Sequence, residues 1–377
     1  MIQRTPPLGW NTWNTFAENI NEQLIREAAD AIVSTGLRDA GYEYVVIDDC
    51  WSLRERDKNG RLVADPEKFP NGMKALADYI HSKGLKFGMY SCAGTMTCAG
   101  YPASYDFEFI DAATFAEWGV DYLKYDYCYK TPVLEGKYLY RRMGAALANC
   151  GRDIVFSACS WGADHTHEWI RTTGAHLWRS TGDIFDSWAS IKKLFLKQEE
   201  LFAYGGLNCF NDMDMLVVGM SGKGNVGVEN GCTTDEYRTH FNAWCLFASP
   251  LMIGCDIRNM SEETRAILTN REAIAIDQDP ACNQPYPIRN VWRDDDKRIY
   301  VRLLSDGSFA IGAFNLSDGD AAFCFALDEI GLAATSGKTL ELHDVWTGEV
   351  SRPVNRNVSF HLRGHESRLW RCNVIDR

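Results

Sequence analysis

The sequence predicts an α/β fold: a (β/α)8 TIM barrel followed by a small C-terminal antiparallel β-sandwich. Three observations carry this. Short apolar runs alternate with helix-period segments over the first three quarters of the chain, and strands alternating with helices imply a parallel sheet that eight units can close. The 377 residues exceed the roughly 250 of a typical barrel by enough for one modest extra domain. Past Asn290 the pattern changes to short alternating strands and turns, with no long helix.

The elements follow in order. Leu8–Trp10 reads as the first strand. The helix over 21–37 carries Leu24, Ile25, Ala28, Ala29, Ile32 and Val33 on one stripe. Residues 42–49 (YEYVVIDD) form a buried-strand pattern ending in two carboxylates. A helix over 73–83 with its stop signal Gly84 precedes the strand 85–91. A helix over 112–118 precedes the strand YLKYD at 122–126, and one over 139–150 precedes the strand at 154–157. The next strand is 176–179, followed by a helix over 184–197. Strands at 207–214 and 251–256, separated by an amphipathic helix over 235–247, complete eight units. In the remainder RIYVRLL, SFAIGAFN and VSFHL read as strands joined by turns such as Asp306-Gly307. The domains are therefore expected at 1–288 and 289–377.

Composition narrows the function. A net charge of −12 and a pI near 5.2 argue against nucleic acid and anionic membranes as partners. No run of about 18 apolar residues is present to span a bilayer. Thirteen cysteines occur without a zinc-like CxxC spacing. There is no HExxH, and the HxH of His165 and His167 stands alone among scattered histidines. Neither a metal nor an organic cofactor is expected. The opening MIQRTPPLGW has no apolar signal core, so the reading is of a soluble bacterial cytoplasmic protein, or a secreted one whose leader has been removed. In the cytoplasm the Asn-x-Ser triplets at Asn259, Asn315 and Asn357 would carry no glycan. A homo-oligomer is left open.

Active sites of such barrels lie at the C-terminal ends of the strands. There the chain places Trp10 and Trp13, Asp48 and Asp49, Tyr90, Lys124 and Asp126, Ser160, Arg179 and Asp183, Asp212 and Asp214, and Asp256. A carboxylate at a strand end also caps helices. A cluster of carboxylates beside aromatic walls, without His or Cys companions, suits glycoside hydrolysis by a carboxylate pair.

The motifs LGWNTW (8–13), IDDCW (47–51), FGMYS (87–91), YLKYDYC (122–128), CSWG (159–162), WRSTGDI (178–184), NDMDML (211–216) and IDQDP (276–280) recur in order. Over residues 5–290 the chain resembles glycoside hydrolase family 27, the retaining α-galactosidases and α-N-acetylgalactosaminidases. The resemblance implies Asp126 as nucleophile and Asp183 as acid/base. Lys124, on the same strand face as Asp126, would bring positive charge to the nucleophile's pocket. The surroundings of Asp183 would have to raise its pKa so that it holds a proton. Arg179 would contact the sugar near its 2-position, and Asp48 and Asp49 would grip the 4- and 6-hydroxyls. Trp13 and Tyr90 would wall the pocket.

At the 2-position the resemblance makes the small Ser160 and Ala163 marks of N-acetylgalactosamine specificity. This tilts the expected substrate toward terminal α-N-acetylgalactosaminides, with terminal α-D-galactose as the alternative and an inactive sugar-binding barrel as a remote one. The resemblance also sets Cys98 opposite Cys128 beside the nucleophile, close enough for a disulfide whether or not they are oxidised, while Cys50 and Cys159 have counterparts whose usual partners are missing here.

Overall fold

A computed structural model describes residues 3–288 and 296–377. Eight parallel strands form the first sheet: β1 (Leu8–Asn11), β2 (Tyr44–Val46), β3 (Lys86–Cys92), β4 (Tyr122–Asp126), β5 (Val155–Ala158), β6 (Leu177–Arg179), β7 (Phe210–Asp212) and β8 (Leu251–Ile253). Each strand from β1 to β7 lies beside its sequence neighbour, and β8 returns to pair with β1. The ring closes just past β7. Leu216 bridges to Ile253, donating its N–H to Met252 O (2.7 Å) and accepting from Gly254 N–H (2.9 Å).

Strand side chains alternate between two faces, and here the alternation sorts two apolar clusters. Tyr44, Val46, Tyr122, Val155, Leu177, Phe210 and Met252 pack together inside the barrel. Val45, Phe87, Leu123, Tyr125, Phe156 and Trp178 pack outward in the larger core that the helices share. Because Tyr122 points inward, Lys124 and Asp126 do too, and the last of them reaches the barrel's open end. Gly9 has no room for a side chain: a Cβ there would lie 2.5 Å from Tyr44 O.

The helices obey their sequence signals. The one at Glu22–Ser34 starts where Asn21 Oδ1 accepts the Leu24 N–H (2.9 Å), and its apolar stripe is buried. The helix Thr234–Leu246 opens with a capping box between Thr233 and Glu236. Several expected elements are shorter, among them the strands expected at 42–49 and 251–256, which run over Tyr44–Val46 and Leu251–Ile253; two others show why. The helix expected from residue 184 begins at Trp188, because Ser187 Oγ caps it. The strand expected over 207–214 runs only over Phe210–Asp212, since left-handed residues flank it, Asn208 at φ +58° and Asp214 at φ +84°.

The C-terminal part holds β9 (Tyr286–Pro287), β10 (Lys297–Leu303), β11 (Phe309–Asn315), β12 (Ala321–Ala326), β13 (Lys338–Asp344), β14 (Val350–Ser351), β15 (Asn357–Leu362) and β16 (Ser367–Asp376). Six form one antiparallel sheet in the order β14-β13-β16-β11-β10-β9, and β12 pairs with β15. Val301, Ile311, Phe323, Leu340 and Trp370 fill the space between these two sheets. The other sheet face joins the barrel's own core through Tyr300, Phe314 and Leu369. Buried Arg302 donates from Nη1 to the carbonyls of Cys245 and Leu246 at the end of the helix Thr234–Leu246. The antiparallel sheet begins at Tyr286, ahead of the expected boundary after 288. The expected start at 289 and the change of pattern near 290 lie outside the described residues. Among the described residues no helix is long and apolar enough to cross a membrane.

Candidate active site

A cavity of about 630 Å³ opens at the C-terminal ends of the strands, within the roughly 300–1,000 Å³ of small-molecule sites. Its closed end is built from β2, β3 and β4. Asp126, only 6% exposed, accepts the Tyr127 N–H at Oδ1 (2.9 Å) and the Tyr90 hydroxyl at Oδ2 (3.1 Å). Lys124 donates to Asp48 Oδ2 (2.7 Å), which also accepts from Asn11 Nδ2 (2.8 Å). Past β2 the chain turns sharply, with Cys50 at φ +69°. That turn lets both Asp48 and Asp49 line the cavity. Asp49 is fixed by the N–H groups of Cys50 (2.7 Å) and Ala99 (2.9 Å).

β6 and the segment after it build the mouth. Arg179 is buried and its Nη2 lies 2.8 Å from both Asp183 Oδ1 and Asp214 Oδ2. The Asp183 side chain is 67% exposed, and Asp214 only 7%. Trp161 and Phe185 add half-exposed aromatic rings to the cavity wall, which Trp13 continues. Cys98 and Cys128 are joined in a disulfide on the same wall, with Cα atoms 5.1 Å apart. Among the described residues Cys50 and Cys159 have no disulfide partner.

The charge states differ from those the sequence suggests. Burial pushes Asp126 up to about 6, against the pull of Lys124, the Tyr127 N–H and Arg179. Lys124 is the strongest of the groups that lower it, but burial outweighs its charge, which Asp48 also shares. Asp183 moves the other way. Partial loss of water inside the cavity mouth raises it, but the charge and hydrogen bond of Arg179 outweigh that and hold it below the usual aspartate value. The more basic carboxylate of the pair is therefore Asp126.

Two expected substrate contacts fall elsewhere. Ser160 is fully buried, and its hydroxyl hydrogen-bonds the Thr166 hydroxyl (2.6 Å). Ala163 is half-buried behind it and packs against the main core. Neither lines the cavity; Trp161 does, because φ of +58° at Trp161 and +77° at Gly162 swings its ring inward. The other expected residues, Trp13, Asp48, Asp49, Tyr90, Lys124, Asp126, Arg179 and Asp183, come together around one space. His165, His167 and Glu168 bring ligand-type atoms within 4.8 Å of one another, but outside this cavity. Sequence reasoning missed Trp161, Phe185 and Met215 and gave Asp214 no role. Their loop positions carry no periodicity, although Trp161 and Asp214 sit inside two of the quoted motifs.

Chemically, the cavity sets a buried carboxylate at its floor and an exposed one at its mouth. An acidic and basic cluster between them can bind hydroxyls. Sequence comparison covers most of the chain. Residues 5–279 match the family described as alpha galactosidase A, and 294–372 match the alpha galactosidase C-terminal beta sandwich domain. The chain is 44% identical over 368 residues to alpha-galactosidase A of Cellvibrio japonicus, covering 92% of this chain and 87% of that protein. In structure it is similar to alpha-galactosidase I of Mortierella vinacea, with a TM-score of 0.90, 35% identity and coverage of 98% and 96%. It also resembles the Saccharomyces cerevisiae alpha-galactosidase solved with raffinose, with a TM-score of 0.88, 29% identity and 98% of each chain covered.

Proposed function

Since the chain belongs to the alpha galactosidase A family, glycoside hydrolase family 27, and is a retaining glycoside hydrolase acting on carbohydrate, we propose that it releases terminal α-D-galactose with Asp126 as nucleophile and Asp183 as acid/base. The observation that carries the reading is the pairing of a floor carboxylate with a mouth carboxylate in one cavity. An exo-acting enzyme holds the terminal sugar at the closed end, so the leaving group lies toward the mouth. A carboxyl exposed at that mouth meets the leaving oxygen; one on the floor meets the ring carbon.

In the first step an Asp126 oxygen attacks the anomeric carbon and forms an ester. The bond from that carbon to the leaving oxygen breaks, and the Asp183 proton goes to that oxygen. In the second step water gives its proton to Asp183, its oxygen attacks the same carbon, and the ester bond to Asp126 breaks. Two inversions return the original anomer. Asp48, Asp49 and Lys124 hold the sugar's hydroxyls, and buried carboxylates of this kind reject sugars that leave them unpaired.

Galactose is favoured over N-acetylgalactosamine because the tilt toward the latter rested on Ser160 and Ala163. Neither side chain is among those lining the cavity, and the Ser160 hydroxyl is engaged by Thr166, so their small size gives no support for an acetamido group. The curated relatives at 40–44% identity that cover most of this chain carry α-galactosidase names. The test is p-nitrophenol release from the α-galactoside and the α-N-acetylgalactosaminide side by side. We expect kcat/KM on the galactoside to be higher by about 100-fold or more, the scale on which a closed pocket rejects added bulk. Equal or faster turnover of the acetamido substrate would return the assignment to N-acetylgalactosaminides.

The order of the two pKa values has a kinetic consequence. The productive free enzyme carries one proton on the carboxylate pair, with Asp126 ionised and Asp183 protonated. The last proton to leave the pair titrates at about 6, on Asp126. As pH rises through about 6 the one-proton form disappears, so kcat/KM is expected to fall there. A pH–rate series on the p-nitrophenyl galactoside checks this, and an alkaline limb at pH 8 or above would contradict the charge order in the free site.

A further inference from the structure

Asp214 combines a left-handed backbone, φ +84°, with near-complete burial at the cavity wall. Strain of this kind persists only where the surroundings fix it, and here they do. Its N–H donates to Asp212 Oδ1 (2.9 Å) and its carbonyl accepts from Trp244 Nε1 (2.7 Å). Oδ1 accepts the Met215 N–H (2.7 Å). Oδ2 accepts the Ile184 N–H (2.7 Å) and pairs with Arg179 Nη2 (2.8 Å). One oxygen thus ties down both ends of the segment from Arg179 to Ile184, and Asp183 lies inside that segment. The Arg179 nitrogen that meets Asp214 is the same one that meets Asp183.

We propose that Asp214 is a positioning residue for the acid/base: it fixes the Asp183 segment and shares the Arg179 charge, so that Asp183 can take up the proton it must donate. This rests on the reading of Asp183 as acid/base. With Asp214 ionised, Arg179 faces two carboxylates and neutralises neither fully. With Asp214 neutral, Arg179 belongs to Asp183 alone, and an unshared opposite charge at hydrogen-bond distance makes a carboxyl a poorer proton carrier. The other groups around the trio do not replace Asp214. Lys124 and Asp126 come from β4, and Lys124 is engaged by Asp48. From β5, Cys159 stays a neutral thiol because burial drives its pKa up strongly. From β7, burial also raises Asp212, against the charge of Arg179. On the helix Thr234–Leu246, His240 is buried and held neutral, with Nε2 accepting the Val217 N–H (3.1 Å). Asp214 itself is pushed up to about 6 by burial, against Arg179, so its charge is lost as pH falls through that value.

A double-mutant cycle tests this, with kcat/KM measured on p-nitrophenyl α-galactoside. Asp214→Asn alone should lower it by roughly tenfold, the effect of lowering the proton affinity of Asp183 by about one pH unit. In an Asp183→Asn background the same change should cost less than about threefold, because the group it serves is gone. The acid side of the wild-type pH profile, which reports Asp214, should flatten in Asp214→Asn and persist near pH 6 in Asp214→Glu. Equal tenfold losses in both backgrounds, or an acid limb that does not move, would make Asp214 a merely structural residue. If Asp214→Asn fails to fold, the cycle is run with Asp214→Glu, whose displaced carboxylate should again cost activity only while Asp183 is present. Failure of the underlying reading looks different. Asp183→Asn would then slow activated and unactivated galactosides equally, whatever Asp214 does.

Discussion

Asp126→Asn is expected to abolish turnover of every α-galactoside, with kcat/KM reduced on the order of 10⁴-fold or more, as when other covalent nucleophiles are removed. The amide cannot form the glycosyl ester, and good leaving groups cannot compensate for a bond that never forms. The change should be a folded, dead enzyme. Asp126 is buried and its carboxyl is raised from 3.8 to about 6. A group whose folded pKa lies above its unfolded value is better tolerated protonated, so its ionisation at pH 7 works against the fold. That difference in proton affinity corresponds to up to about 3 kcal/mol, an upper figure because the amide must turn one donor toward the Tyr90 hydroxyl or the Tyr127 N–H. Asp126→Asn should therefore unfold at a higher temperature than wild type at pH 7, and by a smaller margin at pH 4. Residual turnover of the p-nitrophenyl galactoside above about 1% would remove Asp126 from its role.

The second large effect separates the two carboxylates. Asp183→Asn should lower kcat/KM on an unactivated disaccharide such as melibiose by roughly 10²–10⁴-fold, the usual contribution of a general acid. On 2,4-dinitrophenyl α-galactoside, whose leaving group needs no proton, the loss in kcat/KM should stay below about tenfold. The position of Asp183 at the exposed mouth, bonded to Arg179 at 2.8 Å, makes a folding defect an inadequate explanation for such a split. Similar losses on both substrates would contradict the acid/base role.

Much of this was legible in the sequence because the chemistry sits where regular structure ends. β4 was expected at Tyr122–Asp126 and is observed there. Its period-two alternation alone turns Lys124 and Asp126 inward beside Tyr122. The closing units were harder. At β7 the apolar run over 207–214 reads as one long strand, yet the φ of Asp214 ends it early. Nothing in NDMDML announces that turn. Ser160 and Ala163 were misplaced for a related reason: two consecutive left-handed residues, Trp161 and Gly162, rotate that loop so the indole takes the cavity wall. Sequence gives such a loop its residue types but not the direction of its side chains. The pKa order was unreadable as well. It depends on how deeply the barrel buries Asp126 and on the loop after β6 turning Asp183 back onto Arg179, neither of which periodicity shows. In the C-terminal sheets β10, β11 and β15 follow the strand-like runs RIYVRLL, SFAIGAFN and VSFHL. The pairing of β12 with β15 and of β13 with β16 joins segments far apart in the chain, which local pattern cannot show.

The central claim is that a galactosyl group becomes covalently attached to Asp126. The direct measurement is mass spectrometry of the enzyme incubated with a fluorinated α-galactosyl substrate that slows the second step, followed by protease digestion. The account predicts a mass increase of one fluorogalactosyl unit, confined to the peptide containing Tyr122–Cys128 and located on Asp126. A label on Asp183, Asp214 or any other carboxylate would contradict it, as would a substrate consumed with no labelled peptide and a product of inverted anomeric configuration.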